Sequence, residues 1–254
     1  MLSTAQQAAV RFAQNHSSGQ DGAGNHLIAC LPGEIRELWR PELESVDLSL
    51  GQVLYEYHAP LSFVYFPVTA IVSLQYATIS GGSTETAVVG NEGMVGFALI
   101  MGGNTTPSRA VVQSAGKSLR LRAPFIQQEF PLVAPVTHLL LRFTQALITQ
   151  LALTAVCNRH HSLEQQLCRC LLLSLDRLSG ATLLMTHEAL ANRLGVRREG
   201  VTESAARLQR AGILQYARGH IHVLDRARLE ARACECYAVL RKEYRRLLPD
   251  RIAT

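Results

Sequence analysis

Residues 186–214 read THEALANRLGVRREGVTESAARLQRAGIL and hold the densest set of side chains suited to one kind of chemistry. Arg197 and Arg198 stand together where a helix would begin. Arginine is the usual bidentate reader of guanine O6 and N7, and the adjacent Glu199 can accept from cytosine N4 or hold a neighbouring Arg in place. Thr202 and Glu203 follow one turn later, and Arg207 and Arg210 suit phosphates. Thr186 and His187 precede this run, and Arg218 and His220 follow it, all close enough in sequence to reach a sugar–phosphate backbone. The chemistry is recognition of double-stranded DNA, and no enzyme is expected.

Local signals supply a frame for these side chains. Thr186 is a natural N-cap, with Glu188 and Ala189 in the first turn. Leu190 and Leu194 face inward, and Gly195 stands where the helix must stop in a left-handed conformation. A second helix starts after Val196, with Val201, Ala205 and Leu208 as its inner face. Two short helices about a glycine turn make a helix-turn-helix, whose second helix presents its first turns to the major groove. Gln215–Val223 then predicts a β-hairpin turning near Arg218-Gly219, the wing of a winged helix. Charge agrees: residues 1–159 carry nine Arg and Lys against ten Asp and Glu, a net −1, whereas residues 160–254 carry sixteen against ten, a net +6. A clustered positive charge is the electrostatic footprint of nucleic-acid binding.

The rest of the chain must carry and pair this module. From Val46 to Leu121 short runs rich in Val, Ile, Tyr and Phe predict strands at Gln52–Tyr57, Phe63–Pro67, Ile71–Thr78, Thr84–Val89 and Arg109–Leu121. Gly-rich turns separate them, including Ser80-Gly81-Gly82 and Gly90-Asn91-Glu92-Gly93. No long helix intervenes, so an antiparallel β-roll or jelly roll is expected rather than parallel βαβ units. A long helix follows, its start marked by Pro131 and Pro135 and its end near Asn158. Leu140, Phe143, Leu147, Leu151 and Thr154 recur along it at near-heptad spacing, so this face is expected to pair with a second copy of the same helix. Asn158–Ser162 breaks the pattern and predicts a hinge. Ser162 caps the next helix, Leu163–Leu178, and Glu164 stands in its first turn.

The six cysteines, Cys30, Cys157, Cys168, Cys170, Cys234 and Cys236, do not make a disulfide scaffold in a chain of 254 residues. The two Cys-x-Cys pairs fall in expected helices, where side chains two apart diverge, so no metal is expected there. His160 and His161 read as polar hinge residues. Apolar residues make up 48% of the chain and charged ones 18%, which excludes an intrinsically disordered chain. Leu139–Leu153 is interrupted by Arg142, Gln145 and Gln150, so no membrane partner is expected, and the N-terminus lacks the apolar core of a signal peptide. A cytoplasmic protein is expected. A cupin-like metal enzyme would need a His/Glu cluster on the strands, which offer only His58 and scattered acids. Residues 225–248 predict one C-terminal helix with the stripe Leu229, Ala233, Tyr237, Leu240 and Tyr244.

In its order of β-roll, long helix and winged helix, the sequence resembles Crp/Fnr-type transcription regulators over nearly its whole length. Arg198-Glu199-x-Val201 matches the family's Arg-Glu-x-Val at the head of the recognition helix, which implies that Arg198 and Glu199 read bases. The family's third reader, often an Arg, is Glu203 here. Gly90–Phe97 resembles the phosphate cassette of cyclic-nucleotide-binding domains, and Ser108-Arg109-Ala110 resembles the strand whose Arg pairs with the cyclic phosphate. The resemblance thus implies an effector pocket at Gly93, Gly96, Phe97, Arg109 and Ala110. Phe97 stands where cAMP binders carry a Glu, and an apolar ring cannot accept from a ribose hydroxyl, so weak or no cAMP binding is expected. The N-terminal cysteines of the iron–sulfur type are missing, and the β-roll has few residues that could ligate haem; no cofactor is expected.

The expectation is therefore an α+β chain. Its parts are a flexible N-terminus (1–26), a cyclic-nucleotide-binding-like β-roll (27–132), a dimerisation helix (133–158), a winged helix-turn-helix (159–224) and a C-terminal helical extension (225–254). Its partners would be a palindromic DNA operator, a second copy of the chain, a small-molecule effector sensed by the β-roll and, for an activator, RNA polymerase. The alternative is a constitutive regulator whose β-roll has lost ligand binding.

Overall fold

The structure, a computed structural model, describes residues 24–79, 82–129, 134–178 and 180–248. The flexible N-terminus lies outside them as far as residue 23, as do Pro131, Ser179 and part of the Ser80–Gly82 turn. Residues 24–26 are anchored rather than flexible. Asn25 is fully buried; its Nδ2 donates to the carbonyls of Pro67 and Gly93, and its Oδ1 caps helix α1 (His26–Ala29). Helix α2 (Gly33–Trp39) follows and ends in a 3₁₀ turn, Arg40–Glu42, at Pro41.

Seven strands build the β-roll: β1 (Glu44–Leu48), β2 (Val53–Tyr55), β3 (Phe63–Pro67), β4 (Ile71–Ala77), β5 (Ser83–Val89), β6 (Arg109–Ser114) and β7 (Gly116–Arg122). They form two antiparallel sheets, ordered β1-β7-β3 and β2-β6-β4-β5. The expected strand 109–121 is two strands in different sheets, divided at Ala115. At this corner a Cβ on Gly116 would lie 2.6 Å from the backbone of Thr69 and Ala70, so only glycine lets the chain cross between sheets. β1 was not expected: ESVDL is half-buried, with Ser45 and Asp47 on its outer face and Glu44 in line with Val46 and Leu48.

Helix α3 (Ala123–Glu129) closes the roll, and α4 (Ala134–His160) runs for 27 residues, about 40 Å at 1.5 Å per residue. Contrary to expectation, α4 is long and apolar enough to span a bilayer, the one such helix among the described residues. However, 44% of its most apolar stretch is buried inside the fold. Its buried face packs on β5 and on the C-terminal helix. That face includes Leu140, Phe143 and Leu147, which with Trp39, Phe66 and Ile126 belong to the β-roll core. Burying side chains of this size contributes roughly 1.5–3 kcal/mol each. The expected dimer seam at Leu140, Phe143, Leu147, Leu151 and Thr154 is thus corrected at its first three residues. The first three are already fully buried within their own chain, and Leu151 and Thr154 are half-buried. The apolar residues that α4 leaves open are Leu141 (48% exposed), Ile148 (54%) and Val156 (46%).

After the break at His161-Ser162, a second core gathers α5 (Leu163–Leu175), α6 (His187–Leu194), α7 (Arg198–Arg210) and the sheet β8-β10-β9 (Thr182–Leu184, His220–Val223, Leu214–Ala217). Ser162 and Gln165 form a full capping box at the start of α5. The C-terminal stretch is two helices, α8 (Arg226–Arg232) and α9 (Glu235–Leu247), not one. Ala233 and Cys234 are extended between them.

Candidate nucleic-acid interface

The helix-turn-helix forms as its local signals dictate. Thr186 Oγ1 accepts from the Ala189 N–H at 3.1 Å and starts α6. Gly195 ends it at φ 65°, ψ 34°, in the left-handed region. A side chain there would be strained, and its Cβ would lie 2.8 Å from Thr84 Oγ1 of β5. After Val196, α7 begins at Arg198. Val201, Ser204, Ala205 and Leu208 point into the core, which leaves Arg197, Arg198, Glu199, Thr202 and Glu203 exposed. The wing is the β9–β10 hairpin. Its two-residue turn has Arg218 at φ 50° and Gly219 at φ 82°, the double positive φ of a type I′ turn. Arg218 and His220 are both exposed.

Arg207, Glu203 and His187, three of the expected contact residues, have another task. Arg207 donates from Nε to Glu164 Oε2 at 2.8 Å and from Nη1 to Glu203 Oε1 at 2.7 Å. Arg232 donates to the other oxygen of Glu164 at 2.7 Å. Arg207 is therefore a tie between α7 and α5 rather than a free phosphate ligand, and Glu203 is its partner. The two arginines hold the Glu164 carboxyl below the usual carboxylate range, with the Arg207 hydrogen bond as the main cause. His187 is likewise not a surface contact. Its ring stacks on Tyr216 of the wing, with centroids 4.0 Å apart. Its Nδ1 lies 3.0 Å from Thr202 Oγ1, whose hydroxyl donates to the Arg198 carbonyl, so Nδ1 carries the proton. The buried Nε2 has no hydrogen-bond partner among the described residues. Burial, and secondarily the Arg198 charge, lower the pKa of His187.

The wing tip and helix α6 face the β-roll. Thr186, Asn192 and Arg218 share a cleft of about 500 Å³ with Gly51, Gln75 and Val111 of the β-roll. Two ion pairs close the contact beside it. Arg193 of α6 (6% exposed) donates to Glu85 of β5 (11%) at 2.7 Å, and Arg177, just after α5, donates to Glu92 at 2.7 Å. Arg177 also donates to the Leu173 carbonyl, and Glu92 accepts from the Gly90 N–H. The loop that resembles a phosphate cassette is thereby bound to the winged half of the chain.

Protein groups also occupy the expected effector residues. Gly93 lies against the Phe143 ring and Gly96 against the Phe63 carbonyl. Phe97 is half-buried against the roll's core. Arg109 Nε sits 3.1 Å from Glu56 Oε2, and Ala110 is buried between Tyr55 and Leu74 in the ladder.

Cys234 and Cys236 were expected to diverge within one helix. Because Cys234 is the extended N-cap of α9, they instead converge with Cys157 at the end of α4 and with His161. Sequence reasoning missed this cluster. Its only local signal would have been a helix break at Ala233, where no Gly or Pro marks one.

Comparison with known proteins agrees with this geometry. Residues 165–232 match the Crp-like helix-turn-helix domain. No curated protein matches the chain. Among solved structures, FixK2 from Bradyrhizobium japonicum aligns with a TM-score of 0.63 at 16% identity, over 76% of this chain and 98% of its own. A CRP-family transcriptional regulator from Thermus thermophilus, TTHB099, aligns at 0.62 and 18% over 74% and 96%. The c-di-GMP-responsive global regulator CLP from Xanthomonas campestris aligns at 0.59 and 15% over 75% and 98%. The resemblance read from the sequence therefore holds: a Crp-like helix-turn-helix domain on the α+β fold of Crp/Fnr regulators.

Proposed function

We propose that this chain is a sequence-specific transcription regulator that binds double-stranded DNA as a homodimer on palindromic sites in the cytoplasm. The observation that carries this reading is the exposure of Arg197, Arg198 and Glu199 at the first turn of α7, directly after the left-handed turn at Gly195. A helix presented this way puts its N-terminal side chains on base edges in the major groove. Thr202 lies one turn on, and Arg218 at the wing tip supplies a backbone contact. The exposed Leu141, Ile148 and Val156 on α4 are the face that would pair two copies, setting half-sites about one helical turn apart. RNA polymerase is the further partner wherever the regulator activates.

In the arrangement described, the wing tip faces the β-roll. Engagement of DNA by Arg218 then requires the winged half to swing about His161-Ser162, which would break Arg193–Glu85 and Arg177–Glu92. A small effector in the β-roll, other than cAMP, would act by shifting that equilibrium. The constitutive alternative is favoured by one observation: Arg109, the residue that the resemblance sets against a phosphate, already has Glu56 as an ion-pair partner at 3.1 Å. A change in DNA affinity on adding metabolite extracts would select the sensing reading, and none would select the constitutive one.

The proposal is tested by titrating a random-sequence duplex at several salt concentrations. A steep fall of log affinity with log salt is expected, because phosphate contacts release counterions. No binding at low salt by folded protein would overturn it.

A further inference from the structure

Four donor atoms converge where α4, the hinge and α9 meet. Cys157 Sγ, His161 on one of its ring nitrogens, Cys234 Sγ and Cys236 Sγ all lie within 4.8 Å of one another. Cys157 Sγ is 3.5 Å from Cys234 Sγ, and Cys236 Sγ is 3.7 Å from His161 Nδ1. With Zn–S near 2.3 Å and Zn–N near 2.0–2.1 Å, the edges of a tetrahedral site are about 3.6–3.8 Å. The cluster is thus within small side-chain adjustments of the shell around one ion.

Three further features fit a cation. Glu235 Oε1 lies 3.2 Å from His161 Nε2. A carboxylate that accepts a hydrogen bond from Nε2–H fixes the tautomer and leaves the Nδ1 lone pair aimed at the cysteines, the outer-shell arrangement that orients metal-bound histidines. The three cysteines are buried and His161 is half-buried, so the ion would be shielded from bulk water. Three thiolates and a neutral imidazole around a divalent ion leave a net −1. The buried Arg169, one of whose nitrogens donates to Thr154 Oγ1 at 2.9 Å, is close enough for its charge to act on Cys157 and Cys236. Arg169 Nε has no hydrogen-bond partner among the described residues.

We propose that Cys157, His161, Cys234 and Cys236 bind one thiophilic divalent cation, zinc by preference, in a closed tetrahedral S3N site. Sulfur-rich tetrahedral sites with no open position are structural zinc sites. On binding, each thiol loses its proton to solvent, three protons in all, and His161 enters neutral with its proton on Nε2. The ion would fasten the C-terminal end of α4 and the hinge to the start of α9, so the C-terminal extension would act as a clasp on the hinge. This inference is independent of the DNA reading.

The test uses the full chain, purified under reductant without oxygen, with zinc and cobalt as probes. Expected are about one zinc per chain by elemental analysis and, after exchange into cobalt, thiolate-to-cobalt charge-transfer bands with the intense visible bands of tetrahedral coordination. Cys234→Ser and Cys236→Ser should remove both, whereas Cys30→Ser should keep them. Glu235→Gln should weaken zinc binding about 10–100-fold without unfolding the chain. Failure of the folded, reduced wild-type protein to take up zinc or to give the cobalt spectrum would overturn the proposal, whatever the variants do. So would a Cys157–Cys234 disulfide in metal-free protein isolated from cells, which would make the cluster a redox pair instead.

Discussion

Arg193 and Glu85 meet at 2.7 Å across the seam between the helix-turn-helix and the β-roll, and both side chains are nearly excluded from water. Arg193 also reaches Ser174 and the Met185 sulfur, but its Nε and Glu85 Oε2 lack hydrogen-bond partners among the described residues. The pair is thus a specific but incompletely satisfied contact, suited to a seam that opens.

Removing one partner of this pair should cost far more than removing both. Glu85→Ala leaves a buried, uncompensated guanidinium and should destabilise the chain by about 3–5 kcal/mol. Glu85→Leu with Arg193→Leu should come close to wild type. Denaturant midpoints decide between them, and equal losses would mean that the pair is not buried in solution.

Two arginines of the winged domain should separate by task. Arg218→Gly suits the positive φ of the turn and removes only the charge, so it should weaken binding to all sequences alike and lower the salt slope by about one. Arg207→Ala should leave the salt slope unchanged and lower the melting temperature, because Glu164 and Glu203 hold its guanidinium. A reduced salt slope for Arg207→Ala would show that it leaves those partners for phosphate.

His187 sets a pH dependence. Its folded-state pKa is lowered, so its contribution is complete above its unfolded value of about 6.5. That contribution is lost as pH falls below it, because the unfolded chain takes up the proton first. The physical cause is burial of Nε2, where an added proton would find no acceptor. His187→Phe keeps a ring against Tyr216 and should flatten this part of the stability–pH curve. A His187 pKa at or above about 6.5 by NMR would contradict the packing described.

The two faces of α4 should also respond differently. Ile148→Asp should shift the protein from dimer to monomer in sedimentation with little loss of fold. Leu147→Ala should leave the dimer and cost about 2–5 kcal/mol of stability, because Leu147 is fully buried in its own chain. Dimers that persist in Ile148→Asp would place the subunit contact elsewhere.

What the sequence made legible was mostly local. The caps at Ser162 and Thr186, the stop at Gly195 and the turn at Arg218-Gly219 rest on interactions within a few residues, and all four form as expected. Partners distant in sequence were not legible. The periodicity at Leu140, Phe143 and Leu147 reveals that a face is buried but not what covers it, and the cover is the chain's own β-roll and α9. Arg207 looks like any exposed helical Arg until Glu164, 43 residues away, is placed beside it. The Cys234–Cys236 pair diverges only if both residues share a helix, and the break before Cys234 reverses that inference.

The central claim is that the first turn of α7 reads base sequence, and the most direct measurement is selection of bound duplexes from random DNA by wild type and Arg198→Ala in parallel. The account predicts a palindrome for wild type. Arg198→Ala should lose about 1–3 kcal/mol of affinity and, symmetrically in both half-sites, the preference at the position its side chain contacts. An unchanged set of selected sequences for Arg198→Ala, from protein shown to be folded and dimeric, would contradict it.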